Sequence, residues 1–147
     1  MVEISGGDKL QARLAEIAKN ANKAASVDVG FLEGATYPDG TSVPLVAAIQ
    51  EFGAPSRNIP PRPFFRNMVA DKSGEWPDAV AGLLKDNDYD ATKTLELTGA
   101  AIKGQLQEAI TTFVGTPLAP ATIAKKGSSK ELVDTGHMLA SVDFIVK

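Results

Sequence analysis

Apolar positions in the first part of the chain follow two different periods. Residues 8–25 place leucine, isoleucine and alanine at helical spacing, and Asp8 with Gln11 forms a capping-box-like start, so this segment predicts an amphipathic helix. From residue 26 the period changes to two, with Val27, Val29 and Phe31 on one face. This alternation predicts a β-strand over residues 27–32.

Helical periodicity returns in two further segments, one short and one long. A short helix is expected over residues 44–52, because a proline suits its first turn and Gly53 suits its end. Residues 90–113 keep apolar side chains along one stripe, which predicts the longest helix of the chain. At the C-terminus Val142, Phe144 and Val146 alternate as in a strand.

Two connections break the pattern. A helix starting at Pro63 is expected to break or kink near Gly74 and Pro77, with Asp78 capping a restart. Residues 115–131 have no sustained period and few large apolar side chains, which predicts a long mobile loop before the C-terminal strand. We expect this loop to become ordered when a partner supplies additional buried surface.

The elements together predict an α+β fold. The expected architecture is a small antiparallel sheet packed by the N-terminal helix and the long central helix, in a single domain of residues 1–147. Each predicted strand has one apolar face, and such a face needs helices to cover it.

Composition narrows the possible functions. The chain has a formal net charge of -3 and a pI near 5.1, so it lacks the basic excess typical of nucleic-acid-binding proteins. It has no cysteine, which rules out disulfides and thiolate chemistry and fits an intracellular origin. Neither a signal-peptide core nor a run of about 20 apolar residues is found, so we expect a soluble, unprocessed protein without a membrane partner.

Residues able to carry catalysis are few. The chain has one histidine, His137, and an alternative hypothesis is a hydrolase in which Asp134 orients it toward Ser141. A helix cap and a surface polar residue explain Asp134 and His137 more simply. The acidic run 86–90 lacks the remaining ligands of a calcium loop and fits a helix start better. With no phosphate-loop or dinucleotide fingerprint either, we expect no enzyme, no metal and no cofactor.

The densest chemical signal lies at residues 49–67, "IQEFGAPSRNIPPRPFFRN", which combine four prolines, three arginines and three phenylalanines. Prolines lower the entropy lost on ordering a loop, so the segment suits a rigid contact surface. Arginine in the first turn of a helix opposes the macrodipole. Arg62 and Arg66 are therefore expected to contact an acid from this chain, a neighbouring copy or a ligand.

Three interpretations of this segment remain open. The arginines could form intramolecular contacts with carboxylates such as Glu51, an intersubunit clamp, or a small nucleic-acid-binding module using Arg57, Arg62 and Arg66. For the adjacent rings, one of Phe64 and Phe65 is expected in the core while the other points elsewhere. Aromatic and arginine side chains together are typical of interface hot spots. The predicted assembly interface is Phe52, Arg57, Arg62, Phe64, Phe65, Arg66, Lys125, Lys126 and Lys130.

Two blocks of the sequence resemble a known family. Residues 46–69, "VAAIQEFGAPSRNIPPRPFFRNMV", and residues 117–147, "PLAPATIAKKGSSKELVDTGHMLASVDFIVK", resemble in the same order the tail-completion or neck (head-tail joining) proteins of long-tailed bacteriophages. This group includes minor tail and virion morphogenesis proteins. The stretch "DKSGEWPDAVAGLLKDNDYD" between them matches no motif of the family. The roles of tail terminator, neck ring and tail-completion factor therefore all remain open.

The resemblance implies a virion protein that acts by assembly. It implies a homo-oligomeric ring, expected to be a hexamer, at the head-tail junction or in the tail, in contact with other phage neck and tail proteins. Genomic DNA would pass through the ring without specific binding, and assembly would take place in the host cytoplasm. The resemblance brings no catalytic residues.

Overall fold

A computed structural model describes residues 5–115 and 136–147. Within these ranges the chain has an α+β fold, as the sequence predicts. Its elements are α1 (Gly7–Ala21), β1 (Val27–Phe31), α2 (Val43–Phe52), α3 (Phe64–Lys72), α4 (Trp76–Asp86), α5 (Ala91–Thr112), α6 (His137–Ala140) and β2 (Val142–Val146). The described residues also form 3-10 turns at Pro55–Arg57 and Ser73–Glu75.

The two strands form an antiparallel sheet. Val27 lies opposite Val146 and Phe31 lies opposite Val142, so the chain reaches the same small sheet from both of its ends. The long helix α5 packs on both strands. A Cβ atom at Gly99 would come within 2.5 Å of the Phe144 ring, so only glycine allows the helix to approach the sheet this closely. Both predicted strands and the predicted long helix are thus confirmed.

The hydrophobic core lies between α5, the start of β2 and the pair α2 and α3. The Phe64 ring is 2% exposed and meets Phe31 edge to face, with ring centroids 6.2 Å apart. Both sequence blocks contribute to this core, because α6 and β2 supply residues that pack against α2 and α3. The buried cluster is Val43, Ala47, Phe64, Met68, Leu106, Ile110, Met138 and Val142.

Helix α1 forms within the predicted segment, but it ends at Ala21 rather than at residue 25 and begins differently. Its N-cap is Gly6 in a left-handed conformation and makes no side-chain hydrogen bond, so the predicted capping role of Asp8 is wrong: Asp8 lies in the first turn. None of the residues of α1 is buried, and Leu10 and Leu14 are 61% and 56% exposed. The helix lies against α5, and Arg13 pairs with Asp88 while exposed. Exposed ion pairs of this kind stabilise a fold only weakly.

Helices α3 and α4 are joined directly by the 3-10 turn Ser73–Glu75. Between them the 3-10 turn keeps right-handed helical dihedrals, and Pro77 occupies the first turn of α4, where no donor is lost. The predicted interruption near Gly74 is confirmed, because α3 ends at Lys72 and α4 begins at Trp76. The predicted cap is wrong: the N-cap of α4 is Glu75, which makes no side-chain hydrogen bond, and Asp78 lies in the first turn. Of the predicted loop, residues 116–131 lie outside the described ranges. No helix of the described ranges is long and apolar enough to cross a membrane.

Candidate interaction surface on α2 and α3

The connection between α2 and α3 is held by its own backbone. Gly53 ends α2 with a φ of 75°, and a Cβ atom there would lie 2.7 Å from the carbonyl oxygen of Ile59. The amide of Ala54 donates to the Ile59 carbonyl at 2.9 Å, and the Ile59 amide returns a bond to Ala54 at 3.1 Å. The proline-rich segment is therefore an ordered turn.

Glu51 caps the next helix. Pro63 stands at the N-cap of α3 and offers no side-chain bond, whereas the carboxylate of Glu51 accepts hydrogen bonds from the amides of Phe65 at 2.9 Å and Arg66 at 3.2 Å. These amides are among the four that a helix start leaves without an intrahelical partner. A carboxylate at this end also meets the positive pole of the helix. Glu51 is only 5% exposed, so its role is structural.

Arg66 is anchored to the same carboxylate. Its Nε donates to Glu51 Oε1 at 2.7 Å, and its Nη2 donates to the Glu51 carbonyl at 3.2 Å. The guanidinium also lies 5.2 Å from the centroid of the Phe52 ring, in cation–π geometry. The acid that the sequence predicted as a partner of Arg66 is therefore Glu51 of the same chain, and Phe52 is held in place from one side.

The outer side of α2 is apolar. Phe52 is 64% exposed and Leu45 is 57% exposed, and Ala48 lies between them on the same side of the helix. A groove of about 270 Å³ runs beside this ridge between α2 and α3. Its apolar lining includes Pro44, Ala48, Phe52 and Phe65. Exposed apolar ridges next to grooves mark interaction sites.

The remaining arginines lie in different environments. Arg57 is exposed, and no ion pair involves it within the described residues. Arg62 is only 6% exposed: its amide donates to the Gln50 carbonyl at 2.7 Å and its Nη1 donates to Gln50 Oε1 at 3.0 Å. Among the described residues, no group accepts from its Nε. The expected acid partner of Arg62 is thus not found there, and a glutamine binds its side chain instead.

The two adjacent phenylalanines point in different directions, as the sequence predicts. Phe64 fills the core, whereas Phe65 is half-buried with its ring edge 3.4 Å from the Cβ position of Gly30 in β1. Of the predicted interface set, Phe64 and Arg62 are buried inside the subunit. Phe52, Phe65 and Arg66 line the groove together and Arg57 is exposed, while Lys125, Lys126 and Lys130 lie outside the described residues.

The arginines do not form one basic patch. Arg62 is buried and Arg66 is paired with Glu51, so of these three arginines only Arg57 is exposed without an ion pair among the described residues. A nucleic-acid interface needs several cations that reach phosphates together. This separation gives the nucleic-acid alternative no geometric support.

The side chains of His137 and Ser141 both contact backbone carbonyl groups. The Nε2 atom of His137 lies 2.7 Å from the carbonyl of Thr36, and its ring stacks on Tyr37 with centroids 4.9 Å apart. The hydroxyl of Ser141 donates to the His137 carbonyl at 2.7 Å. The two side chains therefore do not contact each other as a nucleophile and its base would. Asp134 lies outside the described residues.

The acidic run before α5 starts that helix, as predicted. Asp90 caps it by accepting from the Lys93 amide at 3.1 Å, and its pKa is lowered chiefly by a hydrogen bond from Lys23. A hydrogen bond from Arg13 likewise lowers the pKa of Asp88. Within the described ranges no group of three or more acidic or histidine side chains is arranged to hold a metal ion.

Sequence reasoning missed the cap formed by Glu51 and the ridge next to it. Both were detectable, because a glutamate just before the Phe-Gly end of an otherwise apolar helix needs a donor nearby. Helix α2 is also apolar on nearly all sides although it is too short to be enclosed.

Comparisons of the chain with family models, curated proteins and solved structures find no match.

Proposed function

We propose that this chain is a structural virion protein of a long-tailed bacteriophage. In this proposal it forms a homo-oligomeric ring at the head-tail junction, as a neck, tail-terminator or tail-completion component, and acts by protein–protein assembly. Six copies surround a channel through which genomic DNA passes without specific binding. The protein assembles in the host cytoplasm together with other neck and tail proteins.

The observation that carries this proposal is the exposed ridge of α2 beside Arg66. The side chains of Phe52 and Arg66 are fixed before any partner arrives, since Glu51 holds the guanidinium and the guanidinium covers one face of the ring. A preformed aromatic and arginine surface loses little side-chain entropy on binding. This is the property expected of a subunit that joins many others in one register.

The sequence resemblance supports the same proposal. Its first block forms the ridge, the turn and the start of α3, and its second block includes α6 and β2. Although far apart along the chain, residues of both blocks pack into one core, with Met138 and Val142 in the same buried cluster as Phe64. The two motifs thus belong to one structural unit.

Electron microscopy of purified particles tests the proposal. The phage that encodes the chain is purified, the protein is labelled with a specific antibody, and the recombinant protein is imaged separately. The expected results are label at the head-tail junction and closed six-fold rings. A protein that stays monomeric and is absent from purified particles would contradict the proposal.

A further inference from the structure

We infer that the ridge of α2 in one copy binds an acidic stripe that runs from α3 through the following 3-10 turn into α4 of a second copy. The acidic stripe consists of Asp71, Glu75 and Asp78. This inference rests on the proposed function and adds to it the two surfaces that meet between neighbouring subunits.

The ridge combines apolar area with positive charge. Leu45, Ala48 and Phe52 recur at helical spacing on the exposed side of α2, and the groove beside them is lined mainly by apolar side chains. Arg66 lies against Phe52 at the end of the ridge, and Arg57 is exposed in the 3-10 turn that follows α2 in the chain. The chemistry that complements this surface is a smooth helical face with carboxylates.

Such a face is present on the same chain. Asp71 in α3, Glu75 in the 3-10 turn and Asp78 in α4 are spaced i, i+4 and i+7 in sequence, and all three are exposed. No ion pair engages any of them within the described residues. Gly74 and Gly82 lie on this side with open space at their Cβ positions, so the stripe leaves room for large side chains such as Phe52.

The two surfaces point in different directions on one subunit. Arg66 precedes Asp71 by five positions within α3, which at about 3.6 residues per turn places them roughly 140° apart around that helix. One copy can therefore use both surfaces at once. Because the ridge and the stripe are different patches, their contact is heterologous, and a heterologous contact that closes forms a ring.

Charge favours this contact over one between two ridges. Two ridges facing each other in parallel would bring Arg57 and Arg66 of both copies together, and in the antiparallel arrangement these arginines would face the first turn of α2, which has no acidic residue. Ridge against stripe instead places those cations next to Asp71, Glu75 and Asp78. Complementary charge selects the partner and its orientation, and like charges placed together oppose the alternative.

Charge exchange tests the contact. The wild type, Arg57→Glu, Asp71→Arg and the double variant carrying both changes are compared by sedimentation velocity over a range of concentrations. Each single variant is expected to raise the concentration for half-assembly about tenfold or more, and the double variant to return it to within about threefold of the wild type. Phe52→Ala is expected to raise it at least about tenfold as well.

Matched controls separate assembly from folding. Glu96→Arg reverses an exposed charge on α5, and Leu97→Ala truncates a side chain that is 43% exposed. Both should assemble as the wild type does, and thermal unfolding of dilute samples should show that all variants are folded.

The possible failures can be told apart. Single variants that assemble like the wild type, or a double variant that does not recover, would overturn the contact between ridge and stripe while leaving the proposed ring intact. A wild-type protein that stays monomeric at every concentration would overturn both the contact and the ring.

Discussion

The close approach of α5 to the sheet at Gly99 gives a substitution whose sign can be predicted. Changing Gly99 to alanine adds a Cβ atom that would lie 2.5 and 2.7 Å from ring atoms of Phe144 and 2.9 Å from a methyl carbon of Val27. Gly104 lies in the same helix, and a Cβ atom added there meets nothing within 4 Å. Gly104→Ala is therefore a matched control with the same chemical change.

The expected free energies follow from two opposing terms. Alanine is favoured over glycine inside a helix by about 1 kcal/mol, which applies at both positions. At Gly99 the added atom also forces the Phe144 ring and the helix apart, and overpacking of this kind typically costs about 1–3 kcal/mol. We therefore expect Gly104→Ala to stabilise the subunit by about 0.5–1 kcal/mol. Gly99→Ala should destabilise it by up to about 2 kcal/mol, which leaves it about 1–3 kcal/mol less stable than Gly104→Ala.

Urea unfolding followed by circular dichroism measures both changes. For a chain of this size, 1 kcal/mol corresponds to roughly 3 °C in the midpoint of thermal unfolding, so a thermal scan provides a second measurement. If Gly99→Ala proved as stable as Gly104→Ala, the packing of α5 directly on Phe144 would be refuted. If Gly104→Ala were strongly destabilising, an unrecognised contact would have to exist on the exposed side of the helix.

Three further perturbations test other contacts. Glu51→Gln keeps the shape of the α3 cap but removes its charge, so we expect unfolding to become easier by about 1–2 kcal/mol in urea titrations. The same change at the exposed Glu96, Glu96→Gln, should change little. Arg62→Ala removes a buried side chain bonded to Gln50, so it should lower subunit stability by about 2 kcal/mol in the same assay even where no assembly occurs. The pKa of Asp88 is lowered by its hydrogen bond from Arg13, so the stabilisation it provides is present above its unfolded pKa and is lost as pH falls through the lower folded value. Hydrogen exchange should show α1 loosening as pH falls below about 3.9, and Asp88→Asn should loosen α1 already at neutral pH.

Local patterns were sufficient to predict most of the elements. The period-two segments gave both strands, and the antiparallel register follows from their pairing in the structure. The stripe of residues 90–113 gave α5 to within one residue at each end, because Asp90 and Phe113 are its two caps. These predictions succeeded because each depends on side chains close in sequence. The start of α1 was missed by the same reasoning, since Gly6 reaches a left-handed conformation and the predicted cap at Asp8 is not needed.

The sequence predicted which segment forms the candidate site, but not how its side chains are arranged. The sequence identified residues 49–67 as the unusual segment, but it could not tell which arginine would be buried, paired or exposed. That outcome depends on where the turn places each arginine relative to α2. Arg62 lies beside Gln50, and Arg66 lies beside Glu51, the next residue of α2. The adjacent positions of these two acceptors at the end of α2 decide which arginine meets a carboxylate. Such pairing across a turn is not encoded in any local period.

The pairing of Arg66 with Glu51 also determines how the surface can attract a partner. Because the Glu51 carboxylate is buried while the guanidinium remains more than half exposed, the partner would meet positive charge at the surface, with the compensating negative charge beneath it. The attraction over distance is then weaker than that of a free arginine, and Arg57, with no ion pair among the described residues, should dominate the early encounter. Once the surfaces are in contact, Phe52 and Arg66 contribute more than Arg57. Phe52 and Arg66 are already held in one arrangement, so their burial against a carboxylate face requires little further ordering. Raising the salt concentration should therefore slow association through Arg57 while leaving dissociation, which depends on Phe52, much less affected.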